Sequence, residues 1–286
     1  MKLTDIYAGQ KRVLSFEIFP PKHDEELKNI DATLEILCDL KPAYISVTFG
    51  AGGSSNNNKT IALARKIKEQ YGVEPVVHLT CLPYDKAEID EFCRRIEDAG
   101  VENILALRGD KNPNFEPKDV FFHASELIEY IKPRTDLCIA AACYPENHPD
   151  SANTVDEMRN LKKKVDAGAQ VLLSQLFFEN KMFYDFVQNA RIAGIDVPIT
   201  PGIMPCLSAA TIKRMVTTCG ASLPERFERI IHRYEDNKEA LFDAGLYYAV
   251  SQIIDLLTHD CDGIHLYTMN NPVAARRICD SIRNII

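Results

Sequence analysis

The chain lacks a Cys-x-x-Cys pair and any clustered Cys/His spacing. Its nine cysteines (positions 38, 81, 93, 138, 143, 206, 219, 261 and 279) are odd in number and scattered, which argues against a structural zinc site or a disulfide framework and favours a reducing cytoplasm. No Gly-x-Gly-x-x-Gly turn follows the first strand, so the fingerprint of a doubly wound dinucleotide-binding sheet is missing. The N-terminal Met-Lys-Leu-Thr-Asp-Ile-Tyr has no apolar core of a signal peptide, and no run approaches a membrane span, so a soluble intracellular protein is expected. Lysines and arginines are interspersed with acids under a net charge of −8, which disfavours a nucleic-acid binder but leaves room for a local basic pocket. No metal-ligand set and no nucleophile–base pair is evident.

What is present is regular alternation. The 286 residues, 46% hydrophobic and 26% charged, are enough for a large core. Strand-like segments at Ser15–Phe19, Tyr44–Gly50, Pro75–Thr80, Asn103–Gly109, Asp136–Cys143, Val171–Phe178, Pro198–Met204 and Gly263–Asn270 alternate with amphipathic helical patterns, the first from Asp24. Asp85 with Glu88, and Thr154 with Glu157, have the spacing of capping boxes. Asn271-Pro272 places proline in the first turn of a closing helix. About eight strand–helix repeats without a linker predict one (β/α)8 barrel spanning residues 1–286. Three helical patterns rather than one, Ala209–Thr218, Pro224–Tyr234 and Lys238–His259, lie between strands 7 and 8, so extra helices are inserted there.

Barrel active sites are built at the C-terminal ends of the strands, and here those ends are polar. In Ser-Phe-Glu-Ile-Phe-Pro-Pro-Lys (15–22) alternation puts Leu14, Phe16 and Ile18 on one face and Ser15, Glu17 and Phe19 on the other. A carboxylate there either holds its proton near neutral pH or faces a polar ligand; the bland alternative is a strand-end acid that reaches solvent or a lysine. Thr48, His78, Asp110, Tyr144, His148 and Gln175 fall at the other strand ends. Each has a structural alternative. Thr48 suits any strand, His78 suits a core histidine bonded to a carbonyl, and Asp110 suits a turn with Gly109. Gln175 is harder to dismiss, because a buried amide needs partners for up to four hydrogen bonds. Lys162-Lys163-Lys164 reads as a solvated helix face from which one lysine could reach a phosphate.

Eight segments in order carry a resemblance: Ser-Phe-Glu-Ile-Phe-Pro-Pro-Lys, Ser-Val-Thr-Phe-Gly-Ala, His-Leu-Thr-Cys, Leu-Arg-Gly-Asp, Tyr-Pro-Glu-Asn-His-Pro, Lys-Lys-Val-Asp-Ala-Gly-Ala, Ser-Gln-Leu-Phe-Phe and Pro-Gly-Ile-Met-Pro, resumed at His265-Leu-Tyr-Thr-Met-Asn. The chain resembles the methylenetetrahydrofolate reductases. The resemblance implies a barrel that holds FAD and reduces methylene-tetrahydrofolate to methyl-tetrahydrofolate with NADH or NADPH by ping-pong kinetics. It implies Glu17 as the proton donor that opens the substrate's five-membered ring, and Asp110 beside flavin and pterin. It implies Thr48, Ala51, His78, Arg108, Gly109, Asp110, Ala124, Tyr144, His148, Asn160, Lys163 and Lys164 at the flavin, and Gln175, Met215 and Asn271 toward folate or nicotinamide.

The chain departs from the family pattern at Phe49 (often tyrosine), Lys163 (arginine), Thr211 (glutamine), Met215 (an aromatic) and Asn271 (an arginine). These departures keep open an electron-donating partner protein. Two further readings are a flavin-free pterin methyltransferase barrel and a non-catalytic binding subunit of a larger complex. The resemblance also implies a homo-oligomer that ends at the barrel, without a regulatory C-terminal domain or adenosylmethionine inhibition.

Overall fold

In the computed structural model, residues 1–21, 27–49, 54–110 and 117–286 are described, side chains excepted at 27–28 and 54–57. Lys22, the helix start expected at Asp24, Leu27's side chain, Gly50 and Ala51 therefore lie outside what is described.

Helix α1 (Leu3–Gly9) precedes β1 (Val13–Ile18), and then strands and helices alternate. The series runs α2 (Leu27–Asp39), β2 (Tyr44–Val47), α3 (Ser54–Tyr71), β3 (Glu74–Thr80), α4 (Lys86–Asp98), β4 (Asn103–Leu107), α5 (Ala124–Ile131) and β5 (Cys138–Cys143). It continues through α6 (Thr154–Asp166), β6 (Val171–Ser174), α7 (Asn180–Ile192), β7 (Ile199–Thr200) and β8 (Gly202–Ile203). Helices α8 (Ala209–Cys219), α9 (Glu225–Tyr234) and α10 (Lys238–Thr258) follow, then β9 (Gly263–Tyr267) and α11 (Pro272–Ile282).

Among the described residues the nine strands form one parallel sheet in the order β7-β6-β5-β4-β3-β2-β1-β9-β8. Its two ends meet. Thr200 registers with Leu173 on β6 and Gly202 with His265 on β9, while the carbonyl of Pro201 between them accepts from His265 N at 2.9 Å. The fold is thus a (β/α)8-type barrel, but the seventh strand expected over 198–204 is two short pieces. Pro201 has no N–H to give a ladder, so the chain pairs on one side before it and on the other side after it. Gly202 is needed at the crossing, because a Cβ there would lie 2.3 Å from the Ser174 carbonyl oxygen.

The expected strands at 103–109, 171–178 and 263–270 end two to four residues earlier, where the chain leaves the ladder to line the mouth. Asp85 and Glu88 form the expected capping box on α4. On α6 the expectation fails: Asn153 is the cap, accepting from Asp156 N at 3.0 Å, and Glu157 is buried and turned elsewhere.

Alternation divides the interior. Phe16, Ile18, Ile45, Val47, Val77 and Leu79 face the helical ring, while Val13, Tyr44, Val76, Leu105 and Cys138 fill the barrel's lower half with Leu3 and Ile6 of α1. No local sequence pattern announces this plug. Lys2, at the cap of α1, makes no side-chain cap; instead Leu3 N donates to Asn103 Oδ1 at 2.7 Å, satisfying a helix-end N–H from a strand 100 residues away. A third cluster, with Phe178, Met204, Ile212, Phe227, Ile231 and Leu241, seats α8 and α9 over the mouth. Helix α10, 21 residues with an 18-residue stretch at a mean hydropathy of 1.2, is long and apolar enough to cross a membrane, contrary to the expectation that no run approached that length. Here it packs as a core helix, with Leu246, Ala249, Ile253 and Leu256 buried and Gly245 pressed on the Cys206 carbonyl.

Candidate active site

The C-terminal mouth opens into a cavity of about 390 Å³, joined to a second of about 690 Å³ through Leu107, Arg108, Ala142, Tyr144 and His148, which line both. Glu17 lies in the first cavity, 9% exposed. Its Oε2 is 3.4 Å from His78 Nε2 on β3 and 3.8 Å from His265 Nε2 on β9. Glu17 thus faces two imidazoles rather than a lysine. Neither contact is a well-aligned hydrogen bond, and His78 Nε2 is buried without a hydrogen-bond partner. Burial lowers the pKa of His78, Glu17 opposes that fall, and His265 adds to it. The Glu17 backbone is pinned from the far end of the chain. Its carbonyl accepts from Thr268 Oγ1 at 2.7 Å, and Asn270 bonds both the N–H and the carbonyl of Phe19 at 2.9 and 3.0 Å.

Thr48, Arg108, Gly109, Asp110, Gln175 and Met215 line the same cavity. Gly109 adopts φ +87°, and a Cβ there would meet Thr80 Cβ at 3.1 Å, so the turn that presents Asp110 depends on glycine. Gln175 Oε1 accepts from Leu176 N at 2.8 Å, while its backbone N–H holds the Cys143 carbonyl at 2.7 Å. Ala124, Asn160, Lys163 and Lys164 line the second cavity. Lys164 Nζ donates to the Ala142 carbonyl at 2.9 Å and lies 5.6 Å over the Tyr144 ring, and burial lowers its pKa. His148 packs edge-on to Tyr144 with ring centroids 4.6 Å apart; burial and then Arg108 lower its pKa. Burial likewise drives the Tyr144 phenol up, leaving it protonated.

One expected site residue, Asn271, and one departure from the family pattern, Thr211, are placed differently from the rest. Asn271 is outside both cavities and caps α11 by accepting from Ala274 N at 3.0 Å. Thr211 is tied to its own helix cap through Ser208 Oγ at 2.8 Å. Sequence reasoning missed Glu157, whose Oε2 accepts from His148 N at 3.0 Å and Ser151 Oγ at 2.6 Å and so shapes the loop joining the cavities. It also missed His265 and Tyr267 as cavity walls, although inward alternation along β9 would have found both.

Comparison with known proteins decides the family, since the methylenetetrahydrofolate reductase profile matches residues 2–283. The chain belongs to the methylenetetrahydrofolate reductase family. Among relatives in this family, it is 32% identical over 274 residues to the 5,10-methylenetetrahydrofolate reductase of Escherichia coli K12, covering 96% of this chain and 91% of that protein. It is 33% identical over 285 residues to methylenetetrahydrofolate reductase (NADH) 1 of Arabidopsis thaliana, covering 94% of this chain; it spans about half that protein's length (48%). A Clostridium thermocellum structure, described as binding two copies of 5-methyl-5,6,7,8-tetrahydrofolic acid, matches over 100% of both chains with a TM-score of 0.71. At 16% identity that match supports the barrel fold of this methylenetetrahydrofolate reductase family member, and the fold alone.

Proposed function

We propose that the chain is a flavin-dependent methylenetetrahydrofolate reductase, taking electrons from NADH or NADPH in a ping-pong cycle. The observation that carries this reading is Glu17 at the base of a cavity that continues past Tyr144 and His148 into a second, larger one. An acid, a pocket for a flat ring system and an adjoining groove for an extended dinucleotide are what such a reaction requires of the protein. The residues fit FAD. Arg108, Lys163 and Lys164 bring positive charge to the second cavity, and Gly109 lets backbone approach the first. Bound FAD would supply hydride transfer.

The protein supplies the rest. Glu17 holds a proton at its carboxyl and delivers it to a nitrogen of the substrate's five-membered ring, so that the ring C–N bond opens to an electrophilic iminium. Asp110 and Gln175 orient the pterin, and Met215 on α8 covers it. The nine unpaired cysteines support a reducing, cytoplasmic setting.

The test is the visible spectrum of the purified protein with FAD, recorded anaerobically after NADH or NADPH and then methylene-tetrahydrofolate. Bleaching by the nucleotide and recovery with folate are expected. Glu17→Gln should bleach at the parent rate within a few-fold and recover about 10²–10⁴-fold more slowly. Failure to bind FAD would overturn the reading in favour of a flavin-free pterin methyltransferase barrel. A second reading, a flavin fed by a partner protein, is favoured by the engagement of Thr211 and Asn271 in helix caps. It predicts no bleaching by either nucleotide but full reoxidation of dithionite-reduced protein by folate.

A further inference from the structure

The ladder between β1 and β9 stops at the pair Glu17 and Tyr267. Past that point Phe19 still has an N–H and a carbonyl to satisfy, and Pro20 and Pro21 have no N–H with which to extend a ladder. The residues after Tyr267 take over with side chains. Thr268, 1% exposed, donates from Oγ1 to the Glu17 carbonyl at 2.7 Å, and its backbone N–H reaches the same oxygen at 3.3 Å. Asn270 Oδ1 accepts from Phe19 N at 2.9 Å, and Asn270 Nδ2 donates to the Phe19 carbonyl at 3.0 Å. One side-chain amide thus does for Phe19 what a peptide group of a neighbouring strand would do. Asn270 N donates in turn to Thr268 Oγ1 at 3.2 Å, which joins the two contacts into a clasp. On the opposite side Thr48 N holds the Ile18 carbonyl at 3.0 Å.

This clasp is strained, because Met269 and Asn270 both lie at φ +53° in the left-handed region. Asparagine tolerates that region; methionine does so at a cost, and such strain persists only where the surroundings over-determine it. Here Met269 lines the first cavity together with Glu17 and Phe19. The Glu17 carboxyl has no fastening of its own. Among the described residues no hydrogen bond reaches it, and its nearest charged or chargeable neighbours are His78 Nε2 at 3.4 Å and His265 Nε2 at 3.8 Å. With nothing gripping its oxygens, the carboxyl is aimed by the backbone that carries it. We propose that Thr268 and Asn270 are positioning residues that aim Glu17 at the substrate by clamping the main chain at Glu17 and Phe19. This rests on the functional reading above.

The experiment uses the full chain loaded with FAD, reduced with dithionite and mixed anaerobically with methylene-tetrahydrofolate in a stopped-flow instrument. Asn270→Gly keeps a residue at ease in the left-handed region and removes the amide; Thr268→Val removes the hydroxyl, and Thr268→Ser keeps it. A displacement of about 1 Å at a reacting group is costly, so Asn270→Gly and Thr268→Val should each slow the limiting rate of flavin reoxidation about ten-fold or more. The half-saturating folate concentration and the FAD affinity should stay within about two-fold, since neither residue touches either ligand in this reading. Thr268→Ser should recover most of the rate. In a Glu17→Gln background Asn270→Gly should slow reoxidation by less than about two-fold further, because the group that it aims is gone. A parent that does not bind FAD, or is not reoxidised by folate, would overturn the functional reading and this proposal with it. Given a parent that turns over, three results would each overturn this proposal alone: an unchanged limiting rate in Asn270→Gly and Thr268→Val, a slowing matched by lost FAD affinity, or the same slowing in the Glu17→Gln background. Should Asn270→Gly fail to fold, Thr268→Val and Thr268→Ser decide by the same criteria.

Discussion

Replacing Asn103 by alanine should unfasten the plug at the bottom of the barrel while leaving the mouth intact. Asn103 is fully buried at the start of β4. Its Oδ1 accepts from Leu3 N at 2.7 Å and its Nδ2 donates to the Met1 carbonyl at 2.9 Å. In the variant the buried Leu3 N–H loses its partner, a cost of about 1–3 kcal/mol, and the second bond adds about 1 kcal/mol. The expected loss is therefore about 2–4 kcal/mol. Leu3→Ala, which empties a fully buried site in the same contact, should cost about 2–5 kcal/mol. Because both act through the docking of α1, the double variant should lose less than the sum. The chain has no tryptophan, so urea unfolding is followed by far-UV circular dichroism, with Gln188→Ala on an exposed position of α7 as control. A loss within about 0.5 kcal/mol of that control, or strict additivity with Leu3→Ala, would refute the remote cap.

Gly109→Ala should cost about 1–3 kcal/mol from its φ of +87° and, under the proposed function, should weaken FAD binding by displacing Thr80, measured by urea unfolding and flavin titration. Gly245→Ala places a Cβ 1.9 Å from the Cys206 carbonyl oxygen; α10 must shift, and a loss of about 3 kcal/mol or more is expected in the same melt. Glu102 is held to a pKa of about 2, first by the hydrogen bond from Lys68 and then by the N-terminal amine. Its folded pKa is depressed, so its contribution is complete above the unfolded value of about 4.3 and disappears as pH falls toward 2. Since its side chain is 41% exposed, that contribution is discounted to about 1 kcal/mol, seen as a shallower acid limb of stability in Glu102→Gln.

Much of the site was legible because strand alternation is a local rule. Once Phe16 and Ile18 face the helices, Ser15 and Glu17 must face the barrel, and the same rule turns Leu173 and Gln175 inward. Asn271 was not legible, since a side chain that binds a ligand and one that caps a helix have the same local sequence context until the helix is placed. Glu157 has the spacing of a capping residue but reaches His148 and Ser151 in the preceding loop, a choice made by burial.

By itself the sequence determined the alternating elements, the face on which Glu17 stands and the capping box that starts α4, all of which depend on residues a few positions apart. Only the tertiary structure decided that the seventh strand divides at Pro201 to close the barrel and that Asn103 caps a plug helix. It alone decided that Glu17 stands against His78 and His265. Those contacts join segments up to about 250 residues apart, so they exist only once the sheet has closed and each strand has taken its register.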